Sequence, residues 1–97
     1  MRRFQTIDYQ GMTLDLYVGE YNEGGKVYVK AVHQGEDYCD VTVNLSGDPL
    51  EQGYAHISGD CPSDLLAVLE DNEVCSIVGE TPYNFGTYKL VFFNDLG

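Results

Sequence analysis

Between Ala31 and Tyr88 the chain contains no lysine and no arginine. Its five cations lie outside that tract and face sixteen carboxylates, giving a formal net charge of −11 over 97 residues. Binding to nucleic acid or an anionic membrane needs Lys and Arg to displace counterions, so neither is expected as a direct partner. Lys26, Tyr28 and Lys30 share one strand face, but two cations are too few to reverse that balance. A basic surface is attracted instead, and encounter with it is fastest at low salt.

Other absences narrow the chemistry. The three cysteines, Cys39, Cys61 and Cys75, are odd in number and show no C-x-x-C spacing. Met1-Arg2-Arg3-Phe4 leads straight into a strand pattern with no signal peptide, so a reducing cytoplasm and free thiols are expected. No apolar run approaches the ~20 residues of a membrane span. Gly24-Gly25 is followed by no helix and makes no phosphate cradle. His33, His56 and the cysteines lack zinc-ligand spacing, and Asp48 with Glu51 lacks the pattern of a calcium loop. No metal or cofactor is expected. A thiol enzyme would draw on Cys61, next to a helix start, and on His56 upstream. A structural Cys near a surface His explains the same residues, and no catalytic residue is assigned.

What is present builds a folded chain. Apolar residues make up 43% and aromatics 12%, more than disordered acidic proteins carry. The length suits one domain spanning 1–97. RRFQTIDY (2–9) and MTLDLYVGEY (12–21) are expected strands joined at Gln10-Gly11, with Leu14, Leu16 and Val18 alternating as on a half-buried strand. Asn22-Glu23-Gly24-Gly25 is a turn, KVYVKAVH (26–33) a third strand, and YCDVTVNL (38–45) a fourth. In the fourth, Cys39, Val41, Val43 and Leu45 face inward and Tyr38, Asp40, Thr42 and Asn44 outward. Tyr17, Tyr28, Tyr38, Asp15, Asp40 and Thr42 then share one outer face.

SGDPLEQG (46–53) is turn chemistry and YAHIS (54–58) a short strand. A helix starts after Cys61, with Pro62 suited to its first position and Asp60 or Ser63 as the cap. Leu65, Leu66, Val68 and Leu69 form its apolar stripe, worth roughly 1.5–3 kcal/mol each on burial before entropy is subtracted. It closes near Asn72. CSIVGE (75–80) and GTYKLVFFN (86–94) follow as strands around the loop TPYNF. The expected fold is α+β: an antiparallel β-sheet, a meander of about six strands, with one α-helix packed on one face.

Val41 to Phe93 carries a resemblance. TVNL (42–45), Asp60-Cys61-Pro62 opening a helix, Gly79 and the closing strand FGTYKLVFF resemble the small bacterial family catalogued as domain of unknown function 4313. Members show a Val-Asn-Leu strand end, a Pro-marked helix start and an aromatic closing strand; this chain differs at Tyr83-Asn84 and at Lys89. The resemblance implies carriage by phages and conjugative elements. It supplies no activity and no site residues.

The cation-free tract holds eleven carboxylates, and Glu70, Asp71 and Glu73 gather at the helix C-terminus, where the macrodipole disfavours them. The expectation is a non-enzymatic acidic protein-binding module. It would offer carboxylates to the basic surface of a nucleic-acid-binding protein, as a DNA mimic of anti-CRISPR or anti-restriction type does against a host defence nuclease. Strand residues two apart set carboxylates about 7 Å apart, the scale of successive phosphates. The candidate contacts are Asp40, Asp48, Glu51, Asp60, Glu70, Asp71 and Glu73, with Tyr38 and Tyr54 as anchors. The alternative is an accessory or structural protein of a mobile element, acidic only for solubility. It would be a monomer or a weak homodimer, pairing through an edge strand at 86–94.

Overall fold

The computed structural model describes residues 1–21, 26–45, 50–94 and 96. Its strands are β1 (Arg2–Tyr9), β2 (Met12–Glu20), β3 (Val27–His33), β4 (Glu36–Asp40), β5 (Thr42–Val43), β6 (Tyr54–Ile57), β7 (Cys75–Tyr83) and β8 (Gly86–Phe93). Helix α1 (Ser63–Asp71) lies between β6 and β7. The expected turn at 22–25, and the Ser46–Pro49 part of the turn at 46–53, fall outside the described residues. The architecture is α+β with antiparallel pairing throughout, as the alternation predicts. The meander is corrected: there are two four-stranded sheets, ordered β1-β2-β3-β4 and β5-β6-β8-β7.

The division occurs inside the strand expected over 38–45. Val41 donates its N–H to the Val29 carbonyl (2.9 Å) and accepts the Ser58 N–H on its own carbonyl (2.8 Å). One residue is thus bonded both to the first sheet and to the end of β6. Past it, the Thr42 hydroxyl accepts the Val29 N–H (3.0 Å), replacing the ladder partner that the departing strand no longer supplies. Thr42, expected outward, is therefore buried. Periodicity missed the break because one core serves both sheets: Leu14, Leu16, Val29, Val41, Val91 and Phe93 belong to the same buried cluster as Leu65 and Leu69 of the helix. α1 packs against β1 and β7, spanning the two sheets.

The hairpin turns follow from local chemistry. Gln10 and Gly11 have φ of 50° and 80°, and Gln34 and Gly35 have 51° and 81°, so both central residues of each turn are left-handed. That geometry matches the twist of the flanking strands. In the last hairpin the expected loop TPYNF shrinks to Asn84-Phe85, since Thr81, Pro82 and Tyr83 extend β7. Proline is tolerated there because β7 is the outermost strand, where no second ladder needs its N–H. β8, expected as an edge, is internal: β6 bonds one side of it and β7 the other.

α1 starts and ends differently from its expected form. Pro62 occupies the N-cap itself and no side chain caps the helix, so neither Asp60 nor Ser63 takes that role. At the other end Glu73 is left-handed at φ 60°, its N–H reaching the Glu70 carbonyl (3.0 Å), while the Val74 N–H reaches that of Leu69 (2.9 Å). This pair of bonds is a Schellman motif, closed by burial of Val74 and Leu69 in the core. Glu73 holds a position that favours glycine. Glu73→Gly is expected to stabilise the fold by about 1 kcal/mol, seen as a higher urea midpoint at unchanged m value.

Candidate functional site

The site is built where β4 passes the start of α1. Across β3 and β4 the pairs are Lys30 with Asp40, Ala31 with Cys39 and Val32 with Asp37, which leaves Tyr38 as an extra residue. Such a bulge breaks strict alternation. Tyr38 consequently leaves the outer face assigned to it beside Tyr17 and Tyr28, and its ring meets Tyr9 edge-on at 6.2 Å between centroids. The Tyr9 hydroxyl donates to Asp64 Oδ1 (2.7 Å), and Gln10 Nε2 donates to Asp64 Oδ2 (2.7 Å). Tyr28, tilted against Tyr21 at 5.1 Å, donates to Asp40 Oδ1 (2.8 Å).

Beneath these groups lie two neighbouring thiols, Cys39 of β4 and Cys61 before the helix, the Cys61 S–H donating to the Pro62 carbonyl (3.7 Å). Asp40 and Asp60 both bear on the Cys39 thiol, and Asp64 bears on Cys61. Carboxylates of two segments, β4 and the start of α1, therefore lie around the thiols. The Val41–Ser58 backbone bond ties those two segments together.

The phenols that donate to Asp40 and Asp64 are shifted by them. Hydrogen bonding to Asp40 pushes the Tyr28 phenol up to about 12, and hydrogen bonding to Asp64, followed by burial, raises that of Tyr9. A phenol held neutral donates a hydrogen bond without cancelling charge. The cations are engaged elsewhere. Arg3 pairs with Asp15 (3.8 Å), Lys30 with Asp37 (2.9 Å) and Lys89 with Glu80 (2.5 Å). Arg2 donates to the Leu96 carbonyl, and Lys26 to that of Leu45 (2.9 Å). Lys30 is the cross-strand neighbour of Asp40 but makes its ion pair with Asp37. Among the described residues, Asp40, Asp60 and Asp64 have no ion-pair partner.

The remaining candidate residues lie apart. Glu70, Asp71 and Glu73 sit at the far end of a nine-residue helix, about 13 Å along its axis. There Glu70 accepts the Ile77 N–H (3.3 Å) and Glu73 forms the helix stop, so two of the three have structural work. Glu51 lines an open cleft of about 1070 Å³ that also holds Arg2, Lys26 and Glu20, where its charge is locally offset. Tyr54 packs against Phe92 at 5.0 Å on the second sheet. Asp48 lies outside the described residues. The sequence reading missed Asp64, Tyr9 and Gln10. Asp64 had a signal, an acid in the first helical turn, but nothing in the chain pointed to a hairpin turn 54 residues away.

His56, expected at the surface, is buried, and its Nε2 hydrogen-bonds Thr81 Oγ1 (2.8 Å) on the second sheet. Cys61 is raised, first by the neighbouring Cys39 thiol and then by burial, the reverse of a helix-activated thiol. His56 is 6% exposed, and burial, followed by Lys26, lowers its pKa below the ordinary 6.5. The unfolded chain then binds the proton more readily, so stability present above pH 6.5 is lost as pH falls toward the folded value. Urea midpoints at about pH 7.5 and about pH 5.5 should drop accordingly, and the drop should shrink in His56→Gln.

Among the described residues no group of three or more His, Cys, Asp or Glu is placed to hold a metal ion, and no helix is long and apolar enough to cross a membrane. No family model, curated protein or solved structure matches the chain.

Proposed function

We propose that this chain is a non-enzymatic acidic protein-binding module whose contact face is formed by Tyr38, Asp40, Asp60 and Asp64. Its partner is the basic surface of a nucleic-acid-binding protein, which it occupies in place of a polyanion, as an inhibitor of anti-CRISPR or anti-restriction type does. One observation carries this reading. Among the described residues Asp40, Asp60 and Asp64 have no ion-pair partner, while all five Lys and Arg side chains are engaged elsewhere. A partner's Arg or Lys is the complement such a face lacks, and Tyr38, 38% exposed at its margin, supplies an aromatic anchor.

Capture from a bacterial lysate at low salt tests this. The expected catch is a nucleic-acid-binding protein released by moderate salt and displaced by an oligonucleotide. Asp40→Asn with Asp60→Asn should weaken its binding at least tenfold, a loss of about 1.4 kcal/mol or more. Unchanged binding by that double variant would reject the face.

A second reading is favoured by β7. It is an outer strand with Ile77 and Val78 exposed, and Phe85 stands fully exposed at the hairpin tip. A self-associating accessory protein would pair along this edge, not along 86–94. The bulge between Ile77 and Gly79 and the proline at Pro82 both blunt it. A sedimenting dimer that Val78→Lys dissolves would support this alternative.

A further inference from the structure

We propose that Cys39 and Cys61 form an oxidisable thiol pair that a hydroperoxide closes into an intramolecular disulfide. The backbone sets the two side by side. The Val41 carbonyl holds the Ser58 N–H at 2.8 Å, and the Cys61 N–H turns back onto the Ser58 carbonyl at 3.1 Å. Cys39 lies two residues before the first anchor and Cys61 three after the second. On the other side, the contact of Tyr38 with Tyr9 and the bond from Tyr9 to Asp64 hold the same two segments together. Cys39 packs at the margin of the core cluster and Cys61 within it, at 8% exposure.

Their environments set the order of events. The Cys61 S–H donates to the Pro62 carbonyl (3.7 Å), and the nearness of the two thiols lowers the Cys39 pKa while raising that of Cys61. Cys39 is also the more accessible, so it is attacked first. Its thiolate attacks the distal oxygen of the hydroperoxide, an S–O bond forms as the O–O bond breaks, and the sulfur becomes a sulfenic acid; the leaving alkoxide or hydroxide takes up a proton and departs as alcohol or water. Cys61 sulfur then attacks the sulfenic sulfur. The S–S bond forms, and hydroxide leaves with the Cys61 proton as water. Two thiols lose two electrons, which the hydroperoxide accepts. Cys75 stays out, being 1% exposed with its thiol pushed up to about 12 by burial and then by Glu70.

The test is hydrogen peroxide treatment of the full chain, followed by intact mass and peptide mapping. The expected product is a monomer lighter by two hydrogen atoms, with the peptides of Cys39 and Cys61 linked until reductant is added. Cys75→Ser should keep the link. Cys61→Ser should stop at a sulfenic acid on Cys39 that dimedone traps, and Cys39→Ser should consume peroxide at least tenfold more slowly. A link through Cys75, covalent dimers, or higher oxides on Cys39 without any link would each overturn the proposal.

Discussion

Replacing Phe93 with alanine is expected to cost about 3–5 kcal/mol, a large share of the ~5–15 kcal/mol that holds a domain folded. Phe93 is the largest fully buried side chain among the described residues, 2% exposed, and lies in the cluster that joins both sheets to α1. Truncation removes its transfer energy and leaves a cavity that three elements would have to move to fill. Its backbone is fixed as well, since β8 is bonded on both sides near this point and the Phe93 N–H reaches the Gly53 carbonyl at 2.8 Å. The measurement is the urea midpoint at fixed m value. A loss under about 1 kcal/mol would mean that the side chain is not central to the core.

Gly53→Ala carries the second large effect, about 2–3 kcal/mol. Gly53 has φ of +89°, a conformation that costs an alanine about 1–2 kcal/mol. A methyl group there would also lie 2.8 Å from Cε1 of Phe92, whose ring is backed by Tyr54 at 5.0 Å. Relief of the clash would have to move the residue that accepts the Phe93 N–H, so the end of β8 would loosen with it. Thermal or urea unfolding shows the loss, and hydrogen exchange at the Phe93 amide should accelerate along with it. Wild-type exchange there would contradict the account.

Much of this fold was legible in the chain. The Leu14, Leu16 and Val18 alternation, the Gln10-Gly11 turn and the leucine stripe of α1 each follow from local signals that the structure reproduces. What escaped was decided by single hydrogen bonds at a distance. Nothing in YCDVTVNL marks Val41 as the point where the chain leaves one sheet for another, because a buried valine suits either. The bulge that turns Tyr38 toward Tyr9 is likewise invisible to a period-two count. The acid-rich stretch was plain in the sequence, but its division was not. Asp40 and Asp60 both bear on Cys39 because β4 and the start of α1 are drawn together, whereas Glu70, Asp71 and Glu73 are carried to the opposite end of the helix.

That division makes the binding face testable with charge held constant. Asp40→Asn with Asp60→Asn, and Glu51→Gln with Asp71→Asn, each remove two carboxylates from the same net charge of −11. The decisive measurement is the affinity of both double variants for the captured basic partner at one low salt concentration. The account predicts at least a tenfold loss for the first pair and less than about threefold for the second, whose general attraction is unchanged. Equal losses would mean that overall charge, and not a face at β4 and the start of α1, governs binding.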